Sequence, residues 1–191
     1  RPKTLDEFYG QEHFLYKGSL LYNSIKNKTF ESAIFYGPSG TGKTTLARMI
    51  ASEMDAGFKE INASTAGTKE LKEILEDARF KFFGLQNQTT YLYVDELHRW
   101  NKLQQDSLLK ALEEGVIRFI GSTTENPYFS INNAIISRVR LLYEFRRHEK
   151  KDIVAILHRA LEDAENGLAN YGLVYDEEAI ELIADLCGGD A

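Results

Sequence analysis

The sequence holds a single cysteine, three prolines and no hydrophobic run near the roughly 18 residues that a membrane-spanning helix needs. With Cys187 alone there is no intrachain disulfide framework, and the thiol points to a reducing, cytoplasmic setting. The prolines, Pro2, Pro38 and Pro127, are too scattered to mark a linker, and neither a low-complexity segment nor a repeat at solenoid spacing occurs. An excess of basic charge is also missing. The net charge of −6 excludes a histone-like or basic-tailed protein and confines any nucleic-acid contact to a local patch. Arg1-Pro2-Lys3-Thr4 carries no signal-peptide core. The chain opens without a methionine and stops at Gly188-Gly189-Asp190-Ala191, just after a helical pattern ends, so it reads as a piece of a longer protein.

What is present is the make-up of an ordinary folded domain: 191 residues, 43% hydrophobic and 27% charged. That length suits one sizeable α/β domain, or one domain and part of another. Short apolar, β-rich runs alternate with longer stretches of helical period, the pattern of βαβ units around a mostly parallel sheet. Strands are predicted near Ala33 to Tyr36, Phe58 to Asn62, Tyr91 to Val94, Val116 to Gly121 and Val139 to Phe145. Their almost unbroken apolar character suits strands covered on both faces. Leu71, Ile74, Leu75, Ala78 and Phe82 form one stripe of a core-packing helix that Thr68 is placed to cap. After the fifth strand only helices follow, one through Ile153, Ile156, Leu157, Ala160 and Leu161, the next opening near Asp176. The sequence therefore divides into residues 1–146, an α/β core, and residues 147–191, the start of a helical domain.

Gly37-Pro38-Ser39-Gly40-Thr41-Gly42-Lys43-Thr44 fits the phosphate-loop pattern and sits between a predicted strand and a helix over Thr45 to Met54. In such a loop backbone N–H groups turn inward around the phosphates, the lysine supplies a positive charge, and the Thr44 hydroxyl ligates Mg²⁺. Tyr91-Leu92-Tyr93-Val94-Asp95-Glu96 is an apolar strand ending in two carboxylates. Alone, such a pair is more often a solvated turn. With a phosphate loop upstream, Asp95 is placed to hold Mg²⁺ and Glu96 to act as general base toward water. Gly121-Ser122-Thr123-Thr124 ends the fourth strand in small hydroxyl residues, and Thr124 there either reaches the γ-phosphate or stabilises a turn. Arg138 and Arg140 flank the predicted start of the last strand, as surface ion-pair residues or as an arginine offered to a neighbouring subunit's site; spacing alone does not choose. His98, Arg99 and Lys102 around Trp100 and Asn101 form a small basic and aromatic cluster, readable as a solvated loop or a nucleic-acid contact. No His or Cys pattern has metal-ligand spacing.

Together these segments resemble the AAA+ ATPases of the clamp-loader branch, and within it the replication-associated recombination protein A family, which includes the bacterial RarA (MgsA) proteins and the eukaryotic Werner helicase-interacting protein. The residues that carry the resemblance are Arg1-Pro2, Leu5-Asp6-Glu7 and Gly10-Gln11 at the start, Asp95 to Lys102 with Gln104-Gln105-Asp106, and Gly121 to Pro127. It implies an AAA+ P-loop fold with a five-stranded parallel sheet and a helical lid cut short before its second-sensor arginine. It also implies MgATP bound by the loop through Thr45, adenine held around Tyr9, Gly10 and Gln11, a catalytic set of Glu96, Thr124 as first sensor and Arg138 acting in trans, and Thr44 and Asp95 at the metal. The activity implied is DNA-dependent ATP hydrolysis at stalled replication forks, by a homo-oligomer formed through a C-terminal domain not contained here, with DNA and replication proteins as partners and, in a bacterium, association with the nucleoid. The competing readings are a clamp-loader subunit, a Holliday-junction branch-migration motor, or a nucleotide-regulated scaffold with negligible turnover. Ser39 and Trp100 depart from the family's commoner Pro and Phe.

Overall fold

The computed structural model describes residues 2, 4–84, 88–165 and 167–191. Arg1, part of the amino-terminal resemblance, lies outside the described residues. Five strands, β1 Ala33–Tyr36, β2 Gly57–Asn62, β3 Thr90–Asp95, β4 Ile117–Thr123 and β5 Leu142–Glu144, pair in parallel in the order β2-β3-β4-β1-β5.

Successive strand residues point to opposite faces, and each face has its own core. Ala33 and Phe35 of β1, Tyr91 and Tyr93 of β3 and Ile120 of β4 lie on one side, where Leu21 and Ile25 of α1 (Leu20–Lys26) and Leu46 and Ile50 of α2 (Lys43–Glu53) cover them. Ile34, Leu92, Val94 and Phe119 lie on the other, under Leu71 and Leu75 of α3 (Thr68–Phe83), Leu108 of α4 (Lys102–Glu114) and, past the short α5 (Pro127–Ser130), Ile135 of α6 (Asn133–Val139). Burial on both faces is why β1, β3 and β4 read as nearly continuous apolar runs, whereas the edge strands β2, with exposed Lys59 and Glu60, and β5 are only partly buried.

Helix ends follow local chemistry. The Asn101 side chain accepts from Gln104 N while the Gln104 side chain accepts from Asn101 N, a reciprocal cap that starts α4. Asp176 accepts from Ala179 N and opens α8 (Glu177–Leu186), which packs on α7 (Lys150–Glu162) after the sheet. The cap of α3 is Gly67, with Thr68 its first helical residue. The fifth strand is shorter than the apolar run suggests. Val139 closes α6, Arg140 caps it in a left-handed conformation, and the strand begins at Leu142. A buried helix end and a strand have the same apolar content, so the sequence hides their junction. Among the described residues no helix is long and apolar enough to cross a membrane.

Phe35 of β1 is fully buried, with ring centroids 5.1 Å from Phe145 and 6.1 Å from Tyr143. Phe35→Ala is expected to lower the unfolding free energy by about 3–5 kcal/mol, measured in urea. A loss under about 1 kcal/mol would show that this core repacks freely around the hole.

Candidate functional site

The site lies where β1, β4 and β3 end side by side. The helix after β1 covers one face of the sheet and those after β4 the other, which opens a crevice at the carboxyl ends of these two neighbours. Tyr36 is in register with Thr123, and Gly37 N–H continues the ladder by donating to Thr123 O at 3.0 Å. Gly37 has φ +135°, and a β-carbon there would come within 2.1 Å of the Phe145 carbonyl oxygen, so only glycine lets the chain leave β1 in this direction. The loop through Gly42 then delivers the amino end of α2, whose free N–H groups and positive dipole end suit an anion.

Lys43, the first residue of α2, is buried, and its ammonium donates to the Gly37 carbonyl at 2.9 Å and to that of Pro38. The positive charge thus sits within the loop's own curve. Burial pulls this ammonium below the usual lysine range, while the carboxylates of Asp95 and Asp190 act in the opposite direction. Asp190, beyond α8, lays its carboxylate against Gly40, and the next amide, Ala191 N–H, donates to Gly40 O at 2.9 Å.

Across β4 stands the acidic pair. The Asp95 carboxylate accepts from Ser122 Oγ of β4 and from Glu96 N at 3.1 Å. Two residues earlier on the same strand, Tyr93 OH shares a hydrogen bond of 2.9 Å with Thr44 Oγ, linking the acidic strand to the phosphate loop. Burial pushes the Tyr93 phenol up, so it stays protonated. Glu96 has a left-handed backbone, φ 53°, and its carboxylate accepts from Ser64 Oγ in the turn after β2. Thr123 is buried and hydrogen-bonded to His98 Nδ1 at 2.9 Å, whereas Thr124, the first residue past β4, is exposed.

A cavity of about 340 Å³ adjoins the loop, walled by Phe8 and Tyr9, by Gly42 and Thr45, and by Ile156 and Ala160 of α7. Arg159 of α7 donates to Glu7 O at 2.8 Å and pairs with the Glu7 carboxylate, holding the two long walls together. Gly10 and Gln11 stand behind this cavity, in a smaller hollow of about 180 Å³. The Gln11 side chain donates to Arg146 O at 2.7 Å and accepts from Arg146 N at 2.9 Å, so its amide is spent on a backbone tie.

One sequence-derived candidate stands apart. Arg138 lies in the last turn of α6, at the edge where the strands begin, paired with Glu113 at 2.9 Å and bordering a hollow shared with Arg118 and Arg140. It is a helical residue, and both arginines precede the last strand. Trp100 is 3% exposed and part of the core, so the basic cluster of His98, Arg99 and Lys102 presents no aromatic ring there.

The residues Gly37 to Thr45, Tyr9, Asp95, Glu96 and Thr124 are thus drawn to one end of the sheet. Sequence reasoning missed Tyr93, although its position two before Asp95 puts it on the same strand face. It also missed Ser64, which only the register Asn62↔Asp95 brings to Glu96, and the α7 wall of Ile156 and Ala160.

Comparison with known proteins follows the same lines. Residues 33–147 match the family model for the "ATPase family associated with various cellular activities (AAA)". Over its whole length the chain is 43% identical to replication-associated recombination protein A of Escherichia coli (strain K12), spanning 42% of that protein. It is 39% identical to ATPase WRNIP1 of Dictyostelium discoideum, of which it spans 21%. The chain therefore spans less than half the length of these curated relatives. Among solved structures, the RuvB Holliday junction branch migration motor of Thermotoga maritima superposes with a TM-score of 0.75 at 28% identity, covering 96% of this chain and 59% of that one. The names of the sequence relatives bear out the resemblance carried by the residues after Asp95 and Gly121. Since the family model takes in more than half of the chain, including the loop, the acidic strand end and all of the sheet, the chain belongs to the AAA ATPase family.

Proposed function

We propose that this chain is the part of a DNA-dependent ATPase that binds and hydrolyses ATP, and that the whole protein acts in replication-associated recombination and repair. The observation that carries the reading is the meeting, at one end of the sheet, of a phosphate loop with a buried lysine and a strand that ends in two carboxylates. On this reading the backbone of Gly37 to Thr45 and the Lys43 ammonium hold the β- and γ-phosphates. Phosphate oxygens replace the Gly37 and Pro38 carbonyls as partners of Lys43, giving shorter, charge-assisted bonds. The adenosine lies in the cavity beside Tyr9.

The Thr44 hydroxyl and the Asp95 carboxylate are hard oxygen donors suited to Mg²⁺, and among the described residues no group of three or more His, Cys, Asp or Glu side chains forms a metal cage of its own. These two residues would hold the cation, which would supply charge neutralisation for the transferred group. Glu96 takes a proton from the attacking water, and Thr124 meets the γ-phosphate as first sensor. Arg138, a strand's length from its own phosphate loop, serves the site of a second copy. Residues 1–146 form the ATPase core and residues 147–191 the beginning of its lid. DNA binds through a local patch of an otherwise acidic protein. A branch-migration motor is the second reading. The fold likeness to RuvB favours it, but at 28% identity against 43% for the recombination protein.

Lys43→Ala is expected to abolish ATP binding in calorimetry while the circular dichroism spectrum is kept; equal affinity in both forms would contradict the phosphate role. Glu96→Gln in the full-length protein should keep ATP affinity and slow steady-state phosphate release by roughly 10²- to 10⁴-fold. Release that ignores this change removes the enzyme reading, and binding without turnover in either form favours the scaffold. Arg138→Ala should bind ATP normally and lose roughly 10³- to 10⁵-fold in turnover only in the assembled state. An isolated monomer that loses as much would refute the role in trans.

A further inference from the structure

A buried hydroxyl of β3 has a partner that packing does not explain. Tyr93 is fully buried in the core that faces α1 and α2, and its ring stacks on Phe58 of β2 with centroids 6.1 Å apart and planes 22° from parallel. Phenylalanine would fill the same space, so the ring accounts for the burial and leaves the oxygen to be explained. Taking a hydroxyl out of water costs free energy unless a partner replaces the contacts it loses. Tyr91, in the same core, donates to the Phe30 carbonyl at 2.6 Å, a tie between two parts of the scaffold. Tyr93 instead meets the hydroxyl of Thr44, 49 positions away, at 2.9 Å. Its partner is thus a side chain at the start of α2, and the same oxygen that the site offers to a cation.

Resting on the reading of Thr44 and Asp95 as metal donors, we propose that Tyr93 is a positioning residue, whose phenol holds the Thr44 hydroxyl with its lone pairs free for the cation. Thr44 is the second residue of α2 and is half-buried. A threonine in a helix divides between two side-chain rotamers, because its hydroxyl can turn back to a carbonyl of the preceding turn. Bonded to Tyr93, the Thr44 hydroxyl is held toward β3, the strand that Asp95 ends. The direction of the proton follows from acidity. A hydroxyl oxygen that gives a lone pair to a cation becomes the stronger acid of such a pair, so Thr44 donates and the phenol oxygen accepts. Neither lone pair of the threonine is then used up by the protein. The Asp95 carboxylate has its own partners, Ser122 Oγ and Glu96 N–H, so the tyrosine serves the other donor. Groups that orient a metal donor in this way are part of what sets metal affinity.

The test uses the full-length protein that contains this chain, with ATP affinity measured by calorimetry in excess Mg²⁺ and again in EDTA. Tyr93→Phe removes only the oxygen and keeps the ring against Phe58, so the fold survives the change. In the unmodified protein Mg²⁺ should tighten ATP binding. Tyr93→Phe should leave the affinity in EDTA unchanged and shrink the tightening by Mg²⁺ roughly tenfold, the lower end of what loss of a group behind a metal donor causes. In a Thr44→Ala background the same change should have no further effect on that ratio, since the hydroxyl it orients is gone. A tyrosine that merely ties β3 to α2 would weaken binding alike in both buffers, and that result overturns the inference. So does an unchanged Mg²⁺ ratio in Tyr93→Phe, or a further fall of the ratio in the Thr44→Ala background. Those results leave the phosphate-loop reading standing, whereas equal ATP affinity with and without Mg²⁺ in the unmodified protein removes the metal reading of Thr44 and this inference with it.

Discussion

The geometry of the crevice hangs on the parallel pairing of β1 with β4. Because Tyr36 sits opposite Thr123 and Val94 opposite Gly121, the phosphate loop, the hydroxyl-rich end of β4 and the acidic end of β3 emerge in one row. A slip of one residue in either pairing would exchange the two faces of a strand, sending Phe35 to the core of Ile34 and turning Asp95 away from Ser122. The two separate cores prevent this, because each face accepts only its own set of side chains. The accuracy of the site is thus a property of the hydrophobic packing of the strands that lead to it.

At the mouth of the crevice, polar groups are held mostly by hydroxyls. Thr44 joins Tyr93, Ser122 joins Asp95, Ser64 joins Glu96 and Thr123 joins His98. These links run from the start of α2 to β3, from β4 to the end of β3, from the turn after β2 to the residue just past β3, and from β4 to the turn after β3, so the acidic strand end is held from both sides. Hydroxyls suit this place because each can both donate and accept, and so can change partner without leaving a buried atom unpaired. Lys43 is the exception. Its ammonium only donates, and the two carbonyls it holds are neutral, which leaves its charge available to a stronger acceptor.

Much of this was legible in the sequence, and what was not has physical causes. The loop from Gly37 to Thr44 and the pair Asp95-Glu96 stood out because their residue types are rare in that order and each follows a strand. The strand β1 was read to the residue, since turn-forming sequence bounds it. The fifth strand was read too long, because Val139 is apolar for the sake of a helix end. Contacts between elements were invisible: nothing near Ser64 announces Glu96, which is 32 positions away, and nothing near Gln11 announces its tie to Arg146. Trp100 misled, since beside Arg99 and Lys102 an aromatic residue looks like a surface contact until the fold buries it.

The clasp between Glu7 and Arg159 joins positions 152 residues apart. Both long walls of the cavity beside the phosphate loop come from the two extremes of that span, while the loop and its partner strand lie wholly between them. During synthesis, which proceeds from the amino end at roughly 5–20 residues per second, the sheet's acidic end is available well before α7 has left the ribosome. A nascent chain therefore carries one wall of that cavity long before the other, and the cavity is complete only once translation has passed α7.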